Sequence, residues 1–421
     1  MKNLSIKIEC NGGFREVGNN AVIFDNGKER VCFEFGFNVS DGLSPLIPKK
    51  KVDFLLACHG HLDHVGSIPE LYKIHKPKIF GTKPTKDLAE LVLFDSIKVG
   101  RIKEKPRTFN RDDVKSVLNN WTLKKYNETF KLGSSKVTFY DAGHIPGSAM
   151  ALLEMDDKKI LYTSDFKLND TALLKGSDIS KVKNVDMMIM ETTYSDRDLD
   201  NRDKIEKEFI ETVNRTVEQG GIALVPSFAI RAPELLMVLE KYKVKHNIFV
   251  DGMGKAATEI SGKNLEFIKD SKMLKRALDK ATFVTNHGQR KKIIKSPCII
   301  ITTGGCMDGG PVAEYIKHVY RDEKSSLIMT GYQIPGTAGK YLEDTGRYVT
   351  NDVNLKLTLP IYKFSFTAHA TRSELMDMVK KIRPKKVICI HGTNTVRFAT
   401  EIRSSFGIDA IAPKQGEIID F

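Results

Sequence analysis

Four side chains that can bind a metal ion lie within the stretch Cys58–Ser67: His59, His61, Asp63 and His64. Imidazole and carboxylate groups together suit zinc or a similar divalent ion better than calcium or magnesium alone. In so short a stretch, His59 and His61 can reach one ion while Asp63 and His64 face another. The alternative is a polar turn with incidental histidines, and the density of these four side chains argues against it.

The residues on either side of this stretch indicate how it is positioned. Val52–Cys58 is an apolar run of strand length, and Ser67–Leu71 is typical of a helix start, with Pro69 in the first turn. The metal-capable side chains would then follow the carboxyl end of a buried strand. In α/β folds that edge of the sheet is where ligands bind.

Three more metal-capable residues also stand at strand ends. His144, Asp165 and His391 each come at or just after an apolar, β-branched run. A site for two ions needs more ligands than the first stretch supplies, and these residues are the candidates, with Asp165 as a bridging carboxylate.

These residues carry a resemblance to a known family. The pattern HxHxDH, followed by a lone histidine, an aspartate and a distant histidine, resembles the metallo-β-lactamase superfamily. Glu191–Arg197 resembles the first accessory motif of the β-CASP nucleases, Phe364–Ala370 the second, and His391 the third. Thr330–Lys340 resembles the GYQxxGTxGR segment of the cleavage-and-polyadenylation-factor branch. Together the motifs resemble the archaeal cleavage-and-polyadenylation-specificity-factor-like ribonucleases, of the type without KH domains.

The resemblance implies a site for two zinc ions, Zn(2+), per chain. One ion would be held by three histidines and the other by two histidines and Asp63, with Asp165 bridging both. Two such ions can activate water for attack on phosphorus and neutralise charge on the phosphate oxygens. The seven implied ligands are His59, His61 and His144 for the first ion, Asp63, His64 and His391 for the second, and Asp165 for both.

Two motif residues, Glu191 and His369, are not needed as ligands. A carboxylate that is hydrogen-bonded to one imidazole nitrogen fixes the tautomer and raises the basicity of the ring. The other nitrogen can then protonate the departing 3′ oxygen or hold the phosphate. We therefore take Glu191 and His369, together with Asp63, as the catalytic residues. The alternative for Glu191 and His369 is a buried structural pair.

The pattern of elements predicts an α/β protein: a metallo-β-lactamase αββα sandwich with an inserted Rossmann-like β-CASP domain. Regular strand–helix alternation begins after Arg197, and the first pattern resumes near residue 360. We predict residues 1–195 and 358–421 for the metallo-β-lactamase domain and 196–357 for the insertion. Glycine-rich loops, Thr303–Gly310 and Gly331–Gly339, could cradle phosphates, although such loops are also ordinary turns.

The composition indicates what kind of partner and which cellular compartment to expect. The 421 residues carry 66 Lys+Arg against 53 Asp+Glu, a formal net charge of +13, which favours a polyanionic partner. The six cysteines form no CxxC pair, which is typical of a reducing compartment. No signal peptide or membrane-spanning run is visible, so we expect a cytoplasmic protein with no membrane partner.

The function that follows is zinc-dependent hydrolysis of phosphodiester bonds in single-stranded RNA, in RNA processing or decay. The products would carry 5′-phosphate and 3′-hydroxyl ends, and the balance between endonuclease and 5′–3′ exonuclease action stays open, as does a homodimer or a complex with related β-CASP proteins. One alternative is a hydrolase of a small-molecule ester or thioester, which shares HxHxDH but has no need of the insertion or of His369. Another is a non-catalytic RNA-binding subunit, which usually loses ligands.

Four positions depart from the family pattern. Glu34 stands where the family usually has an aspartate that supports the metal loop, so its placement is an open question. Ile230 replaces a glycine before Arg231, Thr371 an aspartate, and Thr393 a residue that is often glutamate. The last three differences bear on the substrate channel more than on the metal chemistry.

Overall fold

The computed structural model describes residues 5–421. The sequence predicts a strand over residues 3–10, and the first two residues of that strand lie outside the described residues. The chain divides into two units. Unit 1 comprises 5–170, 175–198 and 368–421, and unit 2 comprises 171–174 and 199–367. Unit 2 extends beyond the predicted limit at residue 357 because the strand Ile361–Lys363 pairs within its sheet.

Unit 1 contains two seven-stranded sheets. In the first sheet, the spatial order is β22-β1-β2-β3-β4-β5-β6, formed by β1 (Lys7–Gly12), β2 (Ala21–Asp25), β3 (Arg30–Phe33), β4 (Phe54–Leu56), β5 (Lys78–Gly81), β6 (Trp121–Leu123) and β22 (Ile418–Asp420). In the second sheet, the order is β21-β20-β11-β10-β9-β8-β7, formed by β7 (Thr129–Leu132), β8 (Ser135–Asp141), β9 (Ala149–Met155), β10 (Lys158–Tyr162), β11 (Met187–Glu191), β20 (Lys386–Ile390) and β21 (Asp409–Ile411).

Apolar side chains from both sheets meet in one buried core. Val22 and Phe24 of the first sheet share it with Val137, Phe139 and Ile189 of the second. The outer faces of the sheets carry separate apolar clusters that pack against helices. These helices are α1 (Leu62–Val65), α2 (Ile68–His75), α3 (Lys83–Ile102), α4 (Arg111–Asn119), α12 (Arg372–Ile382) and α13 (Thr395–Phe406). Unit 1 is thus an αββα sandwich, as predicted.

Local sequence signals account for several of these helix starts. Pro69 occupies the first turn of α2, as expected. The Asn110 side chain accepts hydrogen bonds from the amides of Asp112 and Asp113, and the Asp113 carboxylate accepts one from the Asn110 amide. This capping box satisfies amides that a helix start otherwise leaves unpaired.

Unit 2 is built on a six-stranded parallel sheet. Its order is β14-β13-β15-β12-β16-β19, formed by β12 (Ile222–Ser227), β13 (Ile248–Asp251), β14 (Ala281–Phe283), β15 (Cys298–Thr303), β16 (Ser326–Met329) and β19 (Ile361–Lys363). A hairpin of β17 (Arg347–Thr350) and β18 (Val353–Lys356) stands apart from this sheet. Apolar clusters lie on both faces of the sheet, as a Rossmann-like fold requires.

The helices of unit 2 alternate with its strands, and this agrees with the predicted α/β insertion. They are α5 (Arg202–Glu218), α6 (Ala232–Lys241), α7 (Met253–Lys263), α8 (Ser271–Lys280), α9 (His287–Ile293), α10 (Pro311–Val319) and α11 (Ala338–Thr345), with 3₁₀ turns at Ala229–Arg231 and Leu265–Phe267. Across residues 5–421, no helix has both the length and the apolar character needed to span a membrane.

Candidate metal centre

The order of strands in the second sheet of unit 1 explains how distant residues meet. β10, β11 and β20 are neighbouring parallel strands, and Glu191 at the end of β11 is in register with Ile390 of β20. Asp165 follows β10 and His391 follows β20, so their side chains and that of Glu191 leave the sheet at the same edge. Parallel strands place their carboxyl ends together.

All seven predicted ligands are brought together in unit 1. His59, His61, His144 and Asp165 form one group, and Asp63, His64 and His391 form another. Within each group, the candidate ligand atoms all lie within 4.8 Å of one another.

Asp165 lies between the two groups. Its Oδ2 is 3.4 Å from Nε2 of His59 in the first group and 3.2 Å from Nε2 of His64 in the second. Its Oδ1 is 3.6 Å from Nε2 of His391. This arrangement fits the bridging position that the sequence resemblance implies for Asp165.

The donor set fits a cation. Nε2 of His59 and Oδ1 of Asp165 are buried, and neither has a hydrogen-bond partner within the described part of the chain. A buried polar atom that lacks a partner costs roughly 1–3 kcal/mol, more if it is charged. A metal ion would satisfy both atoms, and imidazole nitrogen with carboxylate oxygen is a set that zinc accepts.

Burial and charge leave most of these groups in the protonation state that binds metal. Burial lowers the pKa of His61 to about 3, with the charge of His59 acting in the same direction. Burial likewise lowers the pKa of His144 and of His391. For Asp165, burial opposes ionisation, but the charge of His64 acts in the opposite direction, and the pKa of Asp165 lies well below its usual range. Neutral imidazoles and ionised carboxylates are the ligand forms.

His64 is the exception among the ligands. Burial opposes its charged form, but the charges of Asp165, Glu34 and Asp63 outweigh burial and raise the pKa of His64 well above its ordinary value. The ring therefore retains a proton that a metal ion would have to displace.

Glu34 contacts the ligands directly, although its side chain is longer than that of the aspartate that the family usually has at this position. It lies completely buried between the two metal-ligand groups. Its Oε2 is 2.6 Å from Nδ1 of His64 and accepts the hydroxyl proton of Tyr162 at 2.6 Å. Its Oε1 accepts the hydroxyl proton of Ser164 at 2.6 Å and is 3.4 Å from Nδ1 of His59. One carboxylate thus orients a ligand of each group.

The backbone at the site adopts unusual conformations. Glu34, Ser164 and His391 have φ values of 60°, 50° and 49°, in the left-handed region that side chains other than glycine rarely adopt. Each such residue costs on the order of 1–3 kcal/mol, and such strain concentrates at functional sites. Here it allows a carboxylate, a hydroxyl and an imidazole to point into one small volume.

Asn20 is a site residue to which the sequence analysis gives no role. Its side-chain amide contacts Nδ1 of His391, with the Asn20 Oδ1 atom 3.0 Å away, and orients that ring. The two residues are separated by 371 positions. Across that separation, no local spacing signal in the sequence links Asn20 to His391.

Glu191 and His369 form a pair beside Asp165. Nδ1 of His369 lies 3.2 Å from Oε1 and 3.3 Å from Oε2 of Glu191, and 3.8 Å from Oδ2 of Asp165. Asp165, Glu191 and His369 are also close enough to hold an ion. The short contacts to both oxygens of Glu191 fit a hydrogen bond at Nδ1, which leaves Nε2 of His369 for another partner.

A lysine and a glutamate hold the loop that carries His369. Nζ of Lys167 donates to the main-chain oxygen of His369 at 3.1 Å and to the carboxylate of Glu374 at 3.0 Å. Glu374 also accepts the amide proton of Thr371 at 3.0 Å, the capping contact that its sequence position predicts. The helix start is therefore preserved where the family has an aspartate in place of Thr371.

Comparison with known proteins identifies the family. The chain matches a metallo-beta-lactamase superfamily domain over residues 17–194, a Beta-Casp domain over 232–342, and a Zn-dependent metallo-hydrolase RNA specificity domain over 353–413. The fold of unit 1 and its ligand groups accordingly define a member of the metallo-β-lactamase superfamily.

Curated relatives refine this class. The chain is 33% identical to "Probable RNase MJ4" of Methanocaldococcus jannaschii, with 98% of this chain and 100% of the relative covered. It is 31% identical to "RNase aCSPSF2" of Saccharolobus solfataricus, with 97% and 84% covered, and 31% identical to "Transcription termination factor FttA" of Pyrococcus horikoshii, with 98% and 71% covered. The chain belongs to the β-CASP family of the metallo-β-lactamase superfamily. The resemblance drawn from the motifs is confirmed.

A solved structure shares the fold. A protein of unknown function from Enterococcus faecalis V583 aligns with a TM-score of 0.65 over 99% of this chain and 100% of its own. Its sequence identity is 14%, so this likeness concerns the fold alone.

Proposed function

We propose that this protein is a zinc-dependent ribonuclease that hydrolyses phosphodiester bonds of single-stranded RNA and leaves 5′-phosphate and 3′-hydroxyl ends. The observation that carries the proposal is the position of Asp165 between two groups of metal-ligating side chains, with the His369–Glu191 pair beside it. The RNA specificity domain matched over residues 353–413 and the relatives named as RNases support RNA as the substrate.

Two zinc ions per chain are the proposed cofactors. His59, His61 and His144 would hold one, Asp63, His64 and His391 the other, and Asp165 would contact both. When bound, such a pair supplies a nucleophile at neutral pH and neutralises charge on the transferring phosphate. Glu34 and Asn20 would hold the rings of His59, His64 and His391 in their ligand orientations.

His369 is the proposed proton donor to the departing 3′ oxygen. Burial opposes its charged form, but the charges of Glu191 and Asp165 outweigh burial and raise the pKa of His369. The ring therefore carries a proton over a wider pH range than a free histidine does. Glu191 holds Nδ1 and fixes the direction of Nε2, and the side chain of His369 remains 22% exposed, so substrate can reach it.

The other two functions are less well supported. A small-molecule esterase or thioesterase would not account for the match to an RNA specificity domain. A non-catalytic RNA-binding subunit would not need seven ligand side chains in two groups around one aspartate. The match to an RNA specificity domain and the seven grouped ligand side chains therefore both favour RNA hydrolysis.

The decisive experiment is incubation of the purified protein with a single-stranded RNA labelled at either end, with and without a chelator. We expect cleavage that the chelator abolishes and that added zinc restores, with 5′-phosphate and 3′-hydroxyl product ends. A circular RNA of the same sequence distinguishes endonuclease action, which cuts it, from purely exonuclease action, which does not. Metal-loaded protein that leaves every RNA intact but hydrolyses an aryl ester or a thioester would contradict the proposal.

A further inference from the structure

The proposed chemistry in unit 1 leaves unexplained a group of residues in unit 2, at the carboxyl edge of its parallel sheet. Phe228 directly follows β12 and is 44% exposed, the only phenylalanine among residues 5–421 that is exposed. Exposing a large apolar ring costs solvation free energy unless a partner covers it.

The ring of Phe228 is bordered by main chain on two sides. β12 lies between β15 and β16 in the sheet, and the loops after these two strands bring Gly305 and Gly331 against Phe228. A Cβ atom added to Gly305 would lie 3.0 Å from Cγ of Phe228, and one added to Gly331 would lie 2.9 Å from its Cε2. A side chain at either position would press on Phe228, and at Gly305 also on its main-chain nitrogen at 2.9 Å, so glycine suits both positions.

Polar contacts fasten these two loops to each other and to β12. The side-chain amide of Gln333, which is 3% exposed, donates to the main-chain oxygens of Gly305 at 2.8 Å and Gly331 at 3.1 Å. The hydroxyl of Thr330 donates to the main-chain oxygen of Pro226 at 3.0 Å. These hydrogen bonds fix the main chain on both sides of Phe228. An aromatic ring held in this way loses little conformational freedom on binding.

We infer that Phe228 is a stacking surface for a base of single-stranded RNA, a role that rests on the proposed ribonuclease function and deepens it. Every nucleobase has a π face, so stacking on an aromatic side chain tolerates any sequence. Tyr332, the residue after Gly331, is 56% exposed, so the loop that borders Phe228 carries a second exposed aromatic side chain. The net charge of +13 attracts the phosphates of such a strand but supplies no surface for its bases.

The test measures binding of a short fluorescent single-stranded RNA, and of the same RNA with one abasic position moved along it. The titrations use the His369→Ala background so that the RNA survives them. We expect Phe228→Ala to raise the Kd by about 5- to 150-fold, the usual range for loss of one stacked base, and Phe228→Trp to stay within about 3-fold. When Phe228 is present, the RNA that is abasic at the stacked position should bind more weakly than the intact RNA by a similar factor. In Phe228→Ala, that abasic RNA should bind as tightly as the intact RNA.

Tyr341→Ala is the matched control, since Tyr341 is 48% exposed in the same unit but lies on helix α11. In the His369→Ala background, this variant should bind all the RNAs as tightly as His369→Ala alone does. Equal binding by Phe228→Ala and the parent, or equal losses for Phe228→Ala and Tyr341→Ala, would overturn the stacking role and leave the ribonuclease proposal intact. Failure of the wild-type protein to bind or cleave any RNA would instead remove the proposed function itself.

Discussion

Nδ1 of His369 lies 3.2 Å from Oε1 of Glu191, although 178 residues separate the two along the chain. Glu191 is buried and also accepts the amide proton of Phe166 at 3.1 Å, so its carboxylate is fixed independently of the histidine. A fixed carboxylate can hold one nitrogen of the ring while the other faces substrate. In the proposed mechanism, this contact adds a positioned proton donor to metal-assisted hydrolysis.

Replacement of His369 tests this mechanism first. His369→Ala should retain the fold and the metal content because His369 is not among the seven ligands. RNA cleavage should fall by about 10²–10⁴-fold, the usual contribution of a positioned proton donor. Initial rates with end-labelled RNA, together with zinc content measured by elemental analysis, check this.

Glu191→Gln completes that test. It should reduce cleavage less than His369→Ala does, and the double variant should be no slower than His369→Ala, because the two residues act as one unit. His318→Ala, at an exposed position in unit 2, is the control and should cleave normally. Full cleavage by His369→Ala at unchanged metal content would remove the proposed proton donor.

Asp165 should determine how many ions the protein holds. We expect about two zinc ions per chain in the wild type, and Asp165→Asn should lower occupancy at both positions because its two oxygens face both ligand groups. Asp53→Asn, which replaces a partly exposed aspartate elsewhere in unit 1, should leave the content unchanged. Loss of a single ion on Asp165→Asn would show that the residue does not bridge.

Glu34 should control metal affinity without binding metal. Glu34→Gln replaces one of two acceptor oxygens with an NH2 group where four donors converge, so the rings of His59 and His64 can no longer both contact an acceptor on this side chain. We expect zinc affinity to fall by about 10- to 100-fold, as is usual when a supporting hydrogen bond to a ligand is lost. Competition with a fluorescent chelator measures it.

A second buried glutamate in unit 1 provides the control for Glu34. Glu29 accepts hydrogen bonds from Ser134 and Ser135, away from the ligands. Glu29→Gln should lower the stability of the protein but not its zinc affinity. Equal affinity in Glu34→Gln and the wild type would show that the ligand rings are held by other contacts.

The parts of the site that could be predicted from sequence are those that local spacing fixes. His59, His61, Asp63 and His64 lie within six residues of one another, so their proximity needs no knowledge of the fold. The remaining ligands follow strand-like runs, and family resemblance supplies their grouping. The α/β insertion was also predictable, since its strand–helix alternation is regular.

The supporting contacts were not predictable because they depend on which strands become neighbours. Glu34 meets Ser164 across 130 positions, and both adopt left-handed backbone conformations that no sequence pattern signals. Asn20 meets His391 from the far end of the chain. The extent of unit 2 beyond residue 357 likewise follows from the pairing of β19 with β16, which is a long-range contact.

The buried carboxyl group of Asp141 predicts how the stability of the protein changes with pH. Burial raises its pKa from 3.8 to about 6, although hydrogen bonds from Gly143 and Tyr126 act in the opposite direction. The folded carboxyl therefore holds its proton more tightly than the unfolded one does. Above about pH 6 the ionised group lowers the free energy of unfolding, and this loss is relieved as the pH falls from 6 towards 3.8.

Asp141→Asn should remove that loss while its side-chain oxygen still accepts the amide proton of Gly143. We expect the free energy of unfolding to rise by on the order of 1–3 kcal/mol at pH 8 and by about half as much at pH 5. Thermal unfolding of both proteins in the presence of a chelator, so that metal binding does not contribute, measures the difference. Asp157→Asn, at an exposed turn of the same unit, should not follow this pH pattern. A gain from Asp141→Asn that is larger at pH 5 than at pH 8 would mean that burial does not dominate the ionisation of Asp141.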